Sequence, residues 1–251
     1  MKKIIAWWFA LALPMFGADC WAVNSGAGTS GGAFLKLGQG SARAMALGRA
    51  YVAIAEGSDS LTWNPAGLGV TQQKELAYSY LRYIQDVESP LYLAYAHPIG
   101  RTVWGANMGY MTVSGFDVRD ANGRPQDGTS AQVRDGFGAV GIARSFWYEK
   151  LFLGGTLRII HEDNAGNLHD TMVGDVGVLI KPNNVLSLGF AVQNFGTSSA
   201  NVASITRGGA GFKLGDFVSL GLELSKAVDS GARLASGRNF RCPRNIWSSA
   251  S

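Results

Sequence analysis

The residues of this chain that could do chemistry are few, and the densest group of them lies around two histidines. His161, Glu162 and Asp163 are followed by His169 and Asp170, and all five side chains can ligate a metal ion. A metal site needs several such ligands to converge at a fixed geometry. Residues 162–170 are rich in Gly, Asn and Asp, which is typical of a solvated connection. We therefore predict a loop here and no metal site.

Other chemical motifs fail on spacing. Asp120-Ala121-Asn122-Gly123 looks like part of a calcium loop, but Val118 and Thr129 would then occupy the first and twelfth ligand positions. The sequence contains no Gly-rich phosphate loop ending in Gly-Lys-Ser/Thr, no nucleophile elbow and no His-Glu-x-x-His. We predict no catalytic residues and no cofactor, and we expect that the protein is not an enzyme.

Composition restricts the class of protein. The chain has 251 residues, of which 47% are hydrophobic and 16% are charged, and it contains 34 glycines. Low charge with many apolar residues argues against intrinsic disorder. The net charge of +4 comes without any run of Lys or Arg, so we expect no nucleic-acid partner.

The first 22 residues have the features of a cleaved signal peptide. Lys2 and Lys3 precede an apolar run from Ile4 to Phe16, and Ala22 closes a small-residue cleavage site. The run of about 13 residues is too short for a membrane-spanning helix, which needs about 20. A lipoprotein signal using Cys20 is the alternative, although the residues before it fit that signal poorly. Export would leave one cysteine in the mature chain and no internal disulfide.

Period-two alternation begins near residue 74 and predicts β-strands. In residues 217–227, for example, Leu222 and Leu224 would share one face, and Glu223 would point the opposite way. The alternation predicts about nine strands, at 74–86, 91–100, 102–118, 132–147, 150–161, 171–181, 185–195, 206–214 and 217–227. The orientation of 132–147 is ambiguous, because Arg144 shares a face with apolar residues.

Strand length and connections favour a transmembrane antiparallel β-barrel over a soluble β-sandwich. The strands exceed the usual five to six residues of soluble sheets. Tight turns alternate with longer connections at 119–131, 162–170 and 196–205, as short periplasmic turns alternate with external loops in outer-membrane barrels. Aromatic residues lie near the tight turns, as membrane-interface girdles do: Trp104, Trp147, Tyr148 and Phe217. We predict an all-β fold in the cell outer membrane, in contact with outer-membrane lipid.

The polar face of these strands supplies the candidate functional residues. Those that we expect to face the lumen are Asn107, Arg158, Asp175, Gln193, Lys213 and Glu223. Plain solvation or an internal ion pair is the alternative role for each of them.

Residues 23–70 differ from the strands that follow. Ser41 to Ala55 reads as a short helix of small residues, with Gly48 inside it. The block Trp63-Asn64-Pro65-Ala66-Gly67-Leu68 follows. Arg43 and this block would fix the segment against the barrel wall, and a poorly solvated Arg43 should then find a carboxylate or carbonyl partner.

Several segments together resemble the PorV/PorQ family, a branch of FadL-like outer-membrane barrels. The N-terminal matches are Phe34-Leu35-Lys36-Leu37-Gly38, Gly40 to Gly48, Ala50-Tyr51-Val52-Ala53 and Trp63 to Leu68. A second match runs from Ser187 to Gly196. The motif residues that the resemblance places at or near a luminal plug are Arg43, Trp63, Asn64, Pro65 and Gly67.

The resemblance implies a FadL-like barrel of about fourteen strands with a short N-terminal helical segment near the lumen. About nine are visible, and the alternation stops after Ala227. We therefore divide the chain into a signal peptide (1–22), an N-terminal helical and loop segment (23–70), an incomplete barrel (71–227) and an atypical tail (228–251), truncated or out of frame.

The family implies an accessory role in type IX secretion, with secretion-system proteins or the C-terminal signal domains of secreted cargo as partners. The alternatives are a FadL-like channel for hydrophobic small molecules, a scaffold barrel without transport, and a soluble exported β-protein.

Overall fold

The structure is a computed structural model and describes residues 41–80, 87–119, 122–196, 202–214 and 218–240. The predicted signal peptide, both cysteines, Phe217 and the chain beyond residue 240 lie outside the described residues. In the described ranges, no helix is long and apolar enough to cross a membrane.

In the described ranges, ten antiparallel strands form a single sheet in which each strand pairs with its neighbours in the sequence. Their bounds are β1 Glu75–Tyr80, β2 Val87–Ile99, β3 Thr102–Arg119, β4 Pro125–Phe146, β5 Leu151–Asn164, β6 Asn167–Ile180, β7 Leu186–Phe195, β8 Ile205–Leu214, β9 Val218–Ala227 and β10 Arg233–Phe240. Strands β1 and β10 are the two edges of this sheet in the described part of the chain. The predicted fold class, an all-β antiparallel barrel wall with a short N-terminal helical segment, is confirmed.

The sequence predicts about nine strands and the described residues form ten, because β10 lies in the segment predicted to be an atypical tail. It pairs with β9 from Arg233 opposite Ser225 to Phe240 opposite Val218. Leu234, on the outer face, is 63% exposed, but Ser236 and Arg238 on the same face interrupt the apolar pattern. Backbone pairing with β9 forms this strand without a strong alternation of side chains.

Two predicted connections are shorter than expected. The segment 162–170 belongs mostly to the β5–β6 hairpin, which turns at Ala165 and Gly166 with φ of 54° and 94°. In the same way β4 begins at Pro125, within the predicted loop 119–131. Apolar and polar residues alternate only in the part of a strand that faces lipid, whereas the hydrogen bonds between strands continue beyond the membrane.

The two faces of the sheet differ sharply in chemistry. On β9, Leu222 and Leu224 are 48% and 56% exposed on the outer face, whereas Glu223 is 1% exposed on the inner face. Strand β4, whose orientation was ambiguous, presents Val140 and Ile142 outward. An apolar outer face with buried polar groups inside is the arrangement of a membrane-spanning barrel wall.

The inner face is covered by residues 41–74, which we call the plug. It contains the helix α1 (Ala42–Ala46) and two 3₁₀-helices, Ser58–Thr62 and Pro65–Val70. Apolar plug side chains pack against the wall, as Leu61 and Leu68 do against Val103.

The helix is shorter than the predicted Ser41–Ala55. Ser41 caps its N-terminus, and the chain leaves the helix through Gly48 and Arg49, with φ of 60° and 71°. Two successive left-handed residues end an α-helix, and so the alanines that follow form turns instead.

We expect Leu222→Arg to destabilise the protein in lipid by about 2–4 kcal/mol, because a charge would replace an apolar side chain on the membrane face. Urea unfolding from lipid vesicles, followed by heat-modifiable migration, measures this. Ser219→Arg is the control on the same strand, since Ser219 lines a polar cavity. Equal losses in both variants would contradict the assignment of the faces.

Candidate functional site: the plug–wall interface

The Glu223 carboxylate joins the plug to the wall. One of its oxygens accepts hydrogen bonds from the backbone N–H groups of Tyr51 and Val52, at 2.9 and 2.8 Å. The other accepts from Arg207 at 2.7 Å. Glu223 is only 1% exposed, so these bonds replace the water that the carboxylate gives up.

Arg207 extends this joint to two further elements. Its Nε donates to Oε1 of Gln193 at 2.6 Å, and Nε2 of Gln193 donates to the Thr62 carbonyl of the plug at 2.7 Å. The guanidinium also lies 4.6 Å from the ring centroid of Trp63. Strands β7, β8 and β9 therefore hold the centre of the plug together through one arginine.

A second buried network lies on β5, β6 and β7. Arg158 forms an ion pair with Asp175 at 2.7 Å, and both side chains are almost fully buried. Thr156 Oγ1 donates to the same carboxylate at 2.8 Å. Arg158 also donates to the carbonyl of Leu61 in the plug at 3.4 Å.

A β-bulge completes this second network. Asp175 lies opposite two residues of β7, Gln193 and Asn194, because the register shifts between Gly174 and Val176. Asn194 has a φ of 57°, and its backbone N–H donates to Asp175 at 2.8 Å. The bulge turns consecutive side chains inward, which strict alternation does not allow.

The block Trp63–Leu68 is a part of the plug that lies directly against the wall. Asn64 Oδ1 accepts from the Ala66 N–H at 3.2 Å, and Nδ2 donates to the carbonyls of Val52 and Val178 at 2.8 and 3.1 Å. A single side chain thus caps a 3₁₀-helix, ties the plug to itself and ties it to β6.

Pro65 and Gly67 shape the same block. Pro65 begins the second 3₁₀-helix, where its missing N–H costs no hydrogen bond. A side chain at Gly67 would collide with the carbonyl of Ala55. These residue types therefore allow two backbone segments of the plug to touch.

A row of inward-facing glycines on β3 to β10 lets the plug approach the wall, and we call it the glycine track. A Cβ atom on Gly177 would collide with Asn64, and one on Gly189 would collide with the backbone of Val52. The track comprises Gly105, Gly141, Gly154, Gly177, Gly189, Gly209, Gly211, Gly221 and Gly237. Several are direct cross-strand partners, so the track is a nearly continuous path without side chains.

The six residues predicted to face the lumen occupy different environments. Arg158, Asp175, Gln193 and Glu223 belong to the two networks described above. Asn107 is buried and donates to the hydroxyl of Tyr92 at 3.3 Å. Lys213 lines a cavity at the short-turn end of the sheet.

Near the start of the plug, Arg43 pairs with the Glu56 carboxylate at 2.7 Å. Ser41 donates to Asp59 at 2.5 Å and so links α1 to the first 3₁₀-helix. Burial raises the pKa of the Asp59 carboxyl, and the nearby Glu75 carboxylate adds to that rise.

The histidine-rich segment divides between two environments. His161 and Asp170 pair across the β5–β6 hairpin at 2.6 Å, and both are exposed. Glu162, the next residue, is buried. Among the described residues, no group of three or more His, Cys, Asp or Glu side chains is placed to hold a metal ion.

Sequence reasoning missed Arg207, Asn194 and the Tyr51–Val52 backbone. Arg207 could have been found, because it shares the inward face of β8 with Lys213. Asn194 depends on a bulge, and the backbone donors depend on the path of the plug. Neither the bulge nor the path of the plug can be predicted from the residue types.

No protein-family model matches this chain, and no curated protein matches it. Two solved structures of OmpT, an in-vitro folded outer membrane protein of Vibrio cholerae, are similar to it. The first, in trimer form, has a TM-score of 0.43 and 17% identity, and the match covers 61% of this chain and 56% of that one. The second has a TM-score of 0.43 and 13% identity, and covers 66% and 63%.

The chain thus spans less than two thirds of the length of either neighbour. A likeness of this size carries no argument about function. The fold assignment rests on the strand order and on the apolar outer face.

We expect Glu223→Ala to lower the free energy of unfolding by about 3–5 kcal/mol, because it leaves Arg207 buried without its charge partner. Glu149→Ala removes an exposed acid from a turn and should change stability by less than about 0.5 kcal/mol. Urea unfolding of the two variants in the same vesicles measures both values. The double replacement Arg207→Met with Glu223→Met should cost less than Glu223→Ala, and a larger cost would count against a charge-pair origin.

Gly177→Val should push the plug off the wall, because its new side chain would occupy the place of Asn64. We expect a loss of about 1–3 kcal/mol from overpacking, together with faster trypsin cleavage after Arg43 or Arg49. Gly138→Val is the matched control, since a Cβ atom there meets nothing within 4 Å. If both valine variants are equally stable and equally resistant, the glycine track has no packing role.

Proposed function

We propose that this chain is a plugged outer-membrane β-barrel of the PorV/PorQ type, accessory to type IX protein secretion, and that it has no catalytic activity. The observation that carries the proposal is the position of the Trp63–Leu68 block. The residues of this block, which carry one part of the family resemblance, are buried where the plug meets the wall, so this motif has a structural reason to be there.

The fastening of the plug supports a docking role over an open diffusion channel. The plug is tied to the wall by two buried ion-pair networks, which together span the five strands β5 to β9 and include Arg158–Asp175 and Arg207–Glu223. Opening a pore would break the hydrogen bonds between these groups and the plug, including those that Glu223 accepts from the Tyr51 and Val52 N–H groups. A fixed plug leaves a rigid barrel that offers its rims and outer wall to other proteins.

The polar chemistry of the inner face weighs against the FadL-like alternative. Glu223, Arg207, Arg158 and Asp175 are all buried on this face. A hydrophobic small molecule crossing there would have to displace charged groups from their partners, which is unfavourable. Uptake of hydrophobic molecules is therefore treated as the alternative function, and the gene-deletion experiment below distinguishes it from secretion.

Location is tested first. We expect the full-length protein to fractionate with the outer membrane and to show heat-modifiable migration. Recovery in the aqueous periplasmic extract without detergent would overturn the barrel proposal and would favour a soluble exported protein.

The role is tested in a strain from which the gene is deleted. We expect proteins carrying a type IX C-terminal signal domain to be lost from its cell surface. Wild-type protein and the control Glu149→Ala should restore their display, and Glu223→Ala should restore it poorly. Normal display in the deletion strain would refute the secretion role. Loss of hydrophobic-ligand uptake in that strain would support the FadL-like channel instead.

A further inference from the structure

A cavity of about 620 Å³ lies where the short turns of the sheet meet the plug. Plug residues Val70, Thr71 and Gln72 line one side, and the turn ends of the strands line the other. Cavities of about 300–1,000 Å³ are the size that small-molecule ligands occupy.

Each of four neighbouring hairpins or strand ends contributes one cation to this cavity. Arg101 follows β2, Lys150 precedes β5, Lys181 follows β6, and Lys213 lies near the end of β8. A fifth cation, Arg43, already has the Glu56 carboxylate as its partner.

Among the described residues, two acids line the cavity, and one of them, Glu56, is thus paired with Arg43. The other is Glu149, in an exposed turn. The described lining therefore carries an excess of positive charge.

Backbone hydrogen bonds join each of the four cationic positions to a neighbouring strand or turn. The Ser145 N–H donates to the Arg101 carbonyl at 3.1 Å, and the Lys181 N–H donates to the Lys150 carbonyl at 2.7 Å. The Lys213 N–H donates to the Val185 carbonyl at 2.7 Å. Because the backbone is fixed, less conformational freedom is lost when a ligand binds.

The pKa of Lys181 reflects the burial and the charged groups around the cavity. Burial lowers the pKa of its ammonium group; the Glu56 carboxylate opposes this shift, and the ammonium of Lys213 adds to it. The Lys181 nitrogen lies 5.7 Å from the ring centroid of Phe152. Two like charges that raise each other's energy across one cavity would both be stabilised by an anion between them.

We propose that this cavity binds a small anion bearing phosphate or carboxylate groups, held mainly by Lys181 and Lys213. Charge-assisted hydrogen bonds from ammonium groups to such oxygens are the interactions that this lining can provide. None of the ion-paired side chains Arg158, Asp175, Arg207 and Glu223 lines this cavity.

The test is calorimetric titration of the detergent-solubilised full chain with pyrophosphate and, separately, with citrate. We expect binding of at least one probe. Lys181→Gln with Lys213→Gln should weaken it by at least about tenfold, because two charge-assisted bonds are lost. Lys181→Arg with Lys213→Arg should retain it.

The charge-matched control is Lys74→Gln with Lys226→Gln, since neither of these exposed lysines lines the cavity. Heat-modifiable migration verifies that every variant is folded. The proposal is overturned if the wild type binds neither probe, or if the control pair loses binding as the cavity pair does. Binding of both probes would indicate charge as the basis of recognition, and binding of one alone would identify the group that is preferred.

Discussion

This architecture depends on one buried carboxylate that links the plug to the wall. Glu223 accepts two backbone N–H groups from the plug and one guanidinium from the wall, so a single side chain satisfies donors on both sides of the interface. Backbone amides that leave water need a partner, and the Tyr51–Val52 segment has no regular secondary structure to supply one. The wall provides that partner in place of a helix or a strand.

The wall is enclosed on both faces, although by different phases. Lipid would contact the leucines and aromatic residues outside, while the plug packs directly on the inner face except at the cavity of about 620 Å³ near the short turns. Small residues on the inner face allow backbone to lie close to backbone, and charged residues at fixed points keep the plug in place.

Alternation was a sound guide where a strand meets both lipid and plug. Leu222, Glu223 and Leu224 lie on the faces that the sequence predicts, since period two follows from strand geometry. Alternation failed at β10, whose outer face is mixed, and at the ends of the β5–β6 hairpin, which extend beyond the apolar phase. The pairing of Arg158 with Asp175 depends on the register of two strands, which residue types alone do not reveal.

The glycine track also bears on how the strands find their alignment. Alternation of apolar and polar residues distinguishes the two faces, but a hairpin displaced by two positions would keep every face correct. Such a displacement would bring Thr156, Asp175 or Ala191 to the place of a glycine, where the plug leaves no room for a side chain. The plug therefore favours one strand register among several that would place the same residues against lipid. Without the plug, these registers would differ little in free energy.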